Sequence, residues 1–245
     1  MTIQNVLGRR HVVLFLSLML PIHATAVSLI PAGLNPGDQF RLVFVTDSTT
    51  NAFSGDINYY NGIVDGEADT ATALLSASEN PFGNITWYVI ASTSTVDARD
   101  NTMTNDSVVD PSVPIFLINN ANSPVALTNA DLWDGDILNA INSSFTTDNR
   151  NATGLPAVWT GTTSSGVADL ISPLGSGSAI QGYSTQTNSQ WIAQDPYESY
   201  AISYLYGLSE VLEVPTVPVP EPPIYAALLS AFGLIAYRRY QVRKA

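Results

Sequence analysis

The sequence predicts an α+β fold, in which one strand and two helices precede a loop-rich, mainly antiparallel β second half. Three observations support this class. An apolar and aromatic run covers residues 39–45, apolar residues follow at helical spacing over 57–75, and short apolar runs divided by Gly, Asn, Ser, Thr and Pro continue from residue 86 onward. Two helices after a single strand, followed by further strands, are typical of α+β organisation.

The first strand is predicted at residues 39–45, which are rich in β-branched and aromatic side chains and end in a polar stretch. Ser54 is the expected N-cap of a first helix, whose apolar face includes Ile57, Tyr60 and Val64. A second helix is expected after it, with four apolar residues on one face: Ala68, Ala71, Leu74 and Leu75. Short apolar runs then follow at 86–91, 114–118, 157–159, 190–193 and 203–212.

Residues 1–26 have the order of a secretory signal peptide. Arg9 and Arg10 precede an apolar run at residues 12–20, and the small residues Ala24 and Ala26 follow it. Nine residues are too few to cross a bilayer, which needs about 20. Signal peptidase is therefore an expected partner, and the mature chain is expected to begin near residue 27. A buried N-terminal helix is the alternative interpretation.

The C-terminal part has the order of a membrane anchor. A Pro-rich spacer at residues 214–223 precedes an apolar run at 224–237, and four cations follow it within the basic end at 238–245: Arg238, Arg239, Arg243 and Lys244. As a helix, these 14 residues would span about 21 Å, less than the ~30 Å hydrocarbon core. Flanking prolines and snorkelling arginines would cover the difference. The positive-inside rule places the basic end in the cytoplasm; a buried helix of the domain is the alternative.

The same tail carries a family resemblance in its last 27 residues. Val219, Pro220, Glu221 and Pro222, followed by the short apolar run and the basic end, resemble a PEP-CTERM sorting tail. The resemblance implies recognition by an exosortase-type membrane enzyme in a Gram-negative bacterium that makes exopolysaccharide, with the tail either retained or removed. It implies nothing about the segment between the two ends.

The expected extracytoplasmic domain, residues 27–213, is strongly acidic. Of the 21 acidic residues only Glu221 lies outside it, and of the nine basic residues only Arg41, Arg99 and Arg150 lie inside it, so its net charge is near −17. Such a domain repels nucleic acid, because that binding depends on neutralising phosphates. A nucleic-acid partner is therefore not expected.

The residue types that are missing exclude further classes of site. The chain has no cysteine, and His11 and His23 both fall within the signal peptide. The domain therefore holds no disulfides, no Ser-His-Asp triad and no zinc site built on His or Cys. Carboxylate chemistry and the binding of hard cations such as calcium are the classes that remain.

The middle of the chain resembles the endostatin-like branch of the C-type-lectin-like fold. The residues that carry this resemblance are Val113-Pro114-Ile115, Trp159-Thr160-Gly161, Trp191 and Glu210. It implies a strand with the V-P-I sequence, a turn at W-x-G, a second tryptophan strand and a last strand that ends near the Glu. The cysteines, the metal-binding histidines and the E-P-N or Q-P-D tripeptides of calcium-dependent lectins have no counterpart here. The resemblance therefore implies the fold and not sugar binding.

Two candidate binding features lie together at residues 131–136. Asp131, Asp134 and Asp136 surround Gly135, where a tight turn would gather carboxylates around calcium, although the spacing is not that of an EF-hand. Trp133, with its acidic neighbours, is the candidate for stacking on a sugar. The alternatives are an ordinary solvated loop and a tryptophan that belongs to the core.

The function expected from these patterns is that of a non-catalytic exported surface or matrix protein. It would be sorted by its tail and contribute to exopolysaccharide or biofilm through weak carbohydrate or calcium contacts, without a cofactor beyond that calcium. One alternative is a carboxylate-based hydrolase of extracellular polysaccharide, which needs two carboxylates about 5–9.5 Å apart. A second alternative is a purely structural adhesin.

Overall fold

The computed structural model describes residues 29–105, 112–119, 123–146 and 156–216. Helices and strands are mixed along the chain, as the α+β prediction requires, and that class is confirmed. The strands are β1 Gln39–Val45, β2 Trp87–Val89, β3 Ile115–Leu117, β4 Pro124–Ala126, β5 Ala157–Trp159, β6 Ser178–Tyr183, β7 Pro196–Glu198, β8 Tyr206–Ser209 and β9 Leu212–Glu213. The helices are α1 Ile57–Thr72, α2 Ala98–Asn101 and α3 Asn129–Leu132, and a 3-10 helix covers Ser189–Trp191.

Strand β1 occupies the residues predicted for it and forms the centre of the larger sheet. The strand order is β2-β8-β1-β3-β4, with β9 also paired to β1. β1 runs parallel to β3 and antiparallel to β8 and β9. Among the strand pairs of the described residues, β1–β3 is the one parallel pair, so the mainly antiparallel organisation is confirmed.

The alternation of side chains along β1 divides the core into two parts. Phe40, Leu42 and Phe44 belong to the apolar cluster that contains the buried face of α1. Val43 and Val45 belong to the cluster on the opposite face of the sheet. Successive side chains of a strand point to opposite faces, and a strand that is covered on both faces is apolar throughout. This explains why the run has no polar residue from Leu42 to Val45.

The two helices predicted between the first strands are in fact one. Helix α1 continues from Ile57 to Thr72, and it buries Tyr60, Val64 and Ala68 on one face. These positions are spaced four residues apart, so they form a single buried stripe along the helix. The polar residues at 65–67 do not belong to this stripe and do not interrupt it. Leu74, expected on the face of a second helix, lies beyond the end of α1 and is 85% exposed.

The N-terminus of α1 is capped by Asp56 rather than by the predicted Ser54. Asp56 has extended backbone angles, and its Oδ1 accepts a hydrogen bond from Asn58 N at 3.0 Å. Ser54 instead precedes the helix, where its Oγ accepts from Asp56 N at 3.1 Å. The cap therefore lies two residues later than the pattern indicated, because the side chain closest to the first free amides satisfies them.

A second, three-stranded sheet has the order β5-β6-β7 and is antiparallel throughout. The resemblance placed Trp191 on a strand, but this residue ends the 3-10 helix beside β6. The 3-10 helix begins where Asn188 Oδ1 accepts from Gln190 N at 3.1 Å. This local side-chain bond favours a helical turn over an extended strand.

The domain has two opposite ends, set by the direction of β1. At the end where β1 begins, Gly37 N donates to Val214 O at 2.9 Å. The last described residues, which directly follow Val214, therefore lie at this proximal end. At the other end, the chain that follows β1 pairs with residues 199–205. We call this the distal end; the seven residues of β1 separate the two by about 20 Å at ~3.3 Å per residue.

Candidate functional site

The predicted calcium turn includes the end of α3, and two of its carboxylates bind backbone amides. Asp131 Oδ2 accepts from Leu127 N at 2.6 Å, and Asp134 Oδ1 accepts from Asp136 N at 3.1 Å. In the described ranges, no group of three or more Asp, Glu, His or Cys side chains is placed to hold a metal ion. Calcium binding by Asp131, Asp134 and Asp136 stays a prediction.

Trp133, the predicted stacking residue, is half-buried and has protein contacts on its ring. Its Nε1 donates to Thr104 Oγ1 at 2.8 Å, and its ring centroid lies 6.2 Å from that of Trp191. Gly166 lies against the six-membered ring, because a Cβ at this position would come within 2.7 Å of two ring carbons. These contacts favour a packing role, and ligand stacking on Trp133 stays a prediction.

The exposed aromatic side chains lie elsewhere, at the distal end. The large apolar side chains that are exposed in the described residues include Phe53, Tyr59, Tyr197 and Tyr200, which are their aromatic members. With the neighbouring Ile202, these residues form what we call the distal surface. The exposed fractions in this group run from 48% for Tyr59 to 70% for Ile202. The other exposed large apolar residues are aliphatic: Leu74, Leu127, Leu138, Leu170 and Ile171.

Backbone hydrogen bonds bring these residues together from distant parts of the sequence. Thr50 and Ser203 exchange two bonds of 2.9 Å, and Ala52 N donates to Ser199 O at 2.9 Å. Phe53 follows the first stretch, while Tyr200 and Ile202 lie on the second. Tyr197 is part of the edge strand β7, which leads directly into that second stretch.

The remaining residue, Tyr59, reaches the same place from the first turn of α1. Its hydroxyl lies 3.3 Å from Thr50 Oγ1, and its ring packs edge to face on Tyr60 at a centroid distance of 5.1 Å. Tyr60 is fully buried beneath it, and its hydroxyl donates to Ser54 O at 3.1 Å. Burial raises the pKa of Tyr60 to about 12, so this hydroxyl is a neutral, fixed part of the support.

The polar groups around the distal surface are carboxylates and amides. Asp56 and Glu198 are exposed next to its aromatic residues. Arg41 and Arg99 are the basic residues of the described part of the chain. Arg41 is fully buried and donates to Thr102 O at 2.8 Å, while Arg99 is half-buried and its backbone N donates to Gly166 O. Neither guanidinium belongs to the distal surface.

A shallow pocket of about 370 Å³ lies at the proximal end, where α1 ends. Its lining includes Asp69, Thr72, Asn80 and Asn84. Thr72 Oγ1 donates back to Ala68 O within the helix at 2.9 Å, so it is used in the helix itself. The lining combines one carboxylate with small polar and apolar groups, without a paired nucleophile and base, so this pocket is the weaker candidate.

The predicted terminal signals lie outside the described residues. These are the signal peptide at 1–26, the sorting motif Val219, Pro220, Glu221 and Pro222, the apolar run at 224–237 and the basic end with Arg238, Arg239, Arg243 and Lys244. Within the described ranges, the helices are too short or too polar to cross a membrane.

No protein-family model matches the chain, and no curated protein matches it. The terminal resemblance and the lectin-like resemblance therefore receive neither support nor contradiction from relatives. What can be inferred about function depends on the residues and their geometry.

The residues of the distal surface were not predicted from the sequence, because clusters of acidic residues and tryptophans were favoured as candidates. A signal was present nonetheless. Phe53, Tyr197 and Tyr200 each stand among polar and turn-forming residues rather than inside an apolar run. By contrast, Trp87 and Trp159 stand inside apolar runs and are fully buried.

Proposed function

We propose that this chain is a non-catalytic exported surface or matrix protein. The signal peptide at 1–26 directs export, and the tail at 214–245 holds or sorts the protein through an exosortase-type enzyme. The acidic domain at 27–213 then faces outward and contributes to the exopolysaccharide layer through weak carbohydrate contacts. The location is supported by the two terminal patterns, and the role by the surface of the domain.

The observation that carries this proposal is the position of the last described residues. Val214 O accepts from Gly37 N at the beginning of β1, so a tail that continues from residue 216 leaves the domain at its proximal end. The exposed aromatic residues lie at the distal end. A domain attached in this way would present its aromatic surface away from the cell, which is the arrangement expected of a displayed binding module.

We also propose that the domain has the C-type-lectin-like fold. Ile115, the last residue of the V-P-I sequence, begins β3, and Trp159 of the W-x-G sequence ends β5. Gly161 then turns the chain with a φ of 59°. Glu210 directly follows β8, and its Oε1 accepts from Thr86 N at 3.0 Å. These placements support the resemblance, while the 3-10 helix at Trp191 departs from it.

Two carboxylates at the distal end are occupied by hydrogen bonds from neighbouring groups, which supports a non-catalytic role. Asp47 and Glu67 lie close together at the distal end, but their oxygens accept local hydrogen bonds. Asp47 accepts from Ser144 Oγ at 2.8 Å and from Thr146 Oγ1 at 2.6 Å. Glu67 accepts from Asp47 N at 2.6 Å and from Ser48 N at 3.1 Å. Carboxylates bonded in this way fix the loop after β1 instead of facing a substrate.

The location can be tested by expressing the full chain in a bacterium that has an exosortase. We expect external protease to remove the domain from intact cells, and the extracted protein to lack residues 1–26. Protection of the domain in intact cells, with release only after lysis, would contradict export.

The tail can be tested in the same cells with two sets of variants. Replacing Pro220, Glu221 and Pro222 together with alanine is expected to abolish surface sorting and leave the protein in the inner membrane. Replacing Pro215 and Pro218 in the spacer is the matched control, since it removes prolines without touching the motif. Equal sorting of the two variants would show that the motif has no role.

A further inference from the structure

The distal surface has the composition of a binding surface rather than of an ordinary solvated loop. The exposed aromatic rings of the described residues, Phe53, Tyr59, Tyr197 and Tyr200, all belong to it. Scattered single apolar residues are normal on a protein surface, whereas a contiguous exposed apolar patch indicates an interaction site. The pairing of Thr50 with Ser203 places the stretches that carry them side by side.

The backbone beneath the surface is fixed by hydrogen bonds. Asn51 Oδ1 accepts from Phe53 N at 3.2 Å, and Ala201 N donates to Glu198 O at 3.0 Å across the turn that carries Tyr200. Ser199 Oγ donates to Ser176 O at 2.6 Å below that turn. A ligand therefore meets a surface whose backbone is already ordered, which lowers the entropic cost of binding.

Charge restricts the chemistry of the ligand. The surface has exposed carboxylates at Asp56 and Glu198 and no guanidinium or ammonium group from the described residues. Phosphate, sulfate or uronate groups would find no cation among these described residues. A second copy of this chain is also disfavoured, because each domain carries a net charge near −17 and like charges oppose association.

An uncharged sugar chain satisfies these conditions. Its C–H faces can pack on aromatic rings, and its hydroxyls can donate to carboxylate oxygens such as those of Glu198. The tyrosine hydroxyls offer further hydrogen bonds at the edge of each ring. Polysaccharide outside the cell would also approach the distal end first, since the chain leaves the domain at the proximal end.

We propose that the distal surface binds a neutral polysaccharide chain, with Tyr197 and Tyr200 as stacking residues and Glu198 as an acceptor for sugar hydroxyls. This inference rests on the proposed function, which it makes specific in site and in ligand class. It differs from the expectation based on Trp133 and on calcium, because it requires neither.

Affinity electrophoresis of the full chain in a mild detergent tests the proposal. Native gels would contain one of a panel of neutral polysaccharides (galactomannan, dextran, β-glucan or the neutral fraction of the host exopolysaccharide) or the anionic polygalacturonate. We expect retardation by at least one neutral polysaccharide and none by polygalacturonate. Retardation by no neutral polysaccharide, or equal retardation by polygalacturonate, would overturn the proposal.

Two variants test whether the polysaccharide binds at Tyr197 and Tyr200. Replacing Tyr197 and Tyr200 together with alanine is expected to raise the dissociation constant about tenfold, which corresponds to ~1.4 kcal/mol. Leu74→Ala is the control, because it removes an exposed apolar side chain at the proximal end. Equal weakening by both changes, or full binding by the tyrosine variant, would show that the ligand binds elsewhere.

Two further measurements separate the possible causes of failure. The unfolding midpoint of the tyrosine variant should stay close to that of the native chain, because substitutions at exposed positions usually change stability by no more than about 0.5 kcal/mol. Protease accessibility on intact cells measures export independently of any ligand. A chain that is exported but binds no neutral polysaccharide would refute this inference and leave the proposed location in place.

Discussion

Replacing Gly182 with alanine tests the contact between the second sheet and the 3-10 helix. Gly182 lies in β6, paired with Val158 of β5. A Cβ at Gly182 would lie 2.0 Å from Trp191 O and 2.6 Å from Trp191 C. Real Cβ contacts essentially never fall under 3.0 Å, so the backbone of the 3-10 helix would have to move by about 1 Å.

The energetic cost follows from what this movement disturbs. Trp191 is fully buried, and its carbonyl accepts the hydroxyl of the buried Tyr206 at 3.0 Å. Overpacking of a core costs about 1–3 kcal/mol, and loss of the partner of a buried polar group costs about 1–3 kcal/mol. We therefore expect Gly182→Ala to lower the free energy of unfolding by about 4 kcal/mol.

Denaturant unfolding of the full chain in a mild detergent, followed by tryptophan fluorescence, measures this cost. For a domain of this size the same change lowers the melting temperature by about 8–16 °C. Gly177→Ala is the matched control, because a Cβ at Gly177 would have no heavy atom within 4 Å. A Gly182→Ala variant as stable as the Gly177→Ala variant would refute the close approach of β6 to Trp191.

Three further predictions concern pH, helix stability and calcium. Burial raises the pKa of Tyr206 well above its usual value, and it raises the pKa of Tyr60 to about 12. The unfolded chain loses these two protons near pH 10. The free energy of unfolding should therefore be highest below pH 10 and fall as the pH rises toward 12. The test measures the free energy of unfolding between pH 8 and 11.5 for the native chain and for Tyr206→Phe. Because Lys244, the only lysine, lies outside the domain, the change over this range reports tyrosine ionisation. A free energy of unfolding that stays constant for the native chain would contradict the prediction. Gly62→Ala and Gly66→Ala each leave a Cβ in open space on the exposed face of α1, and should each add about 0.5–1 kcal/mol of stability; a loss in thermal unfolding would show that these glycines have another role. Calcium bound at Asp131, Asp134 and Asp136 should raise the unfolding midpoint above that in magnesium at equal ionic strength, and Asp134→Asn should remove the difference; equal midpoints with the two ions would exclude the site.

The candidate site was predicted only in its chemical class. Aromatic stacking and oxygen-rich surroundings were expected at Trp133 and Asp131–Asp136, which stay predictions, whereas the proposed site at Tyr197 and Tyr200 was not expected. A single sequence shows which residues are aromatic, but exposure depends on which distant segments cover them. Trp133 is half-buried because Trp191 and Gly166 pack on it, and neither contact is visible in local spacing.

The helical region shows the same limit at shorter range. The residues at 65–67 are polar and include a glycine, so the pattern favoured two short helices. The fold instead keeps one helix, because Tyr60, Val64 and Ala68 all bury against the same sheet. Tertiary packing of one continuous face outweighs the weak local helix propensity of two glycines.

The sequence by itself determined the α+β class, the residues of β1 and the chemistry that the domain lacks. These properties depend on local alternation and on composition, since residues 27–213 contain neither cysteine nor histidine and cannot build the corresponding sites. Only the tertiary structure decided where the aromatic residues are exposed and on which side the chain leaves the domain. Both depend on long-range pairing, such as that of Thr50 with Ser203 and of Gly37 with Val214, which joins residues that lie more than a hundred positions apart in the sequence.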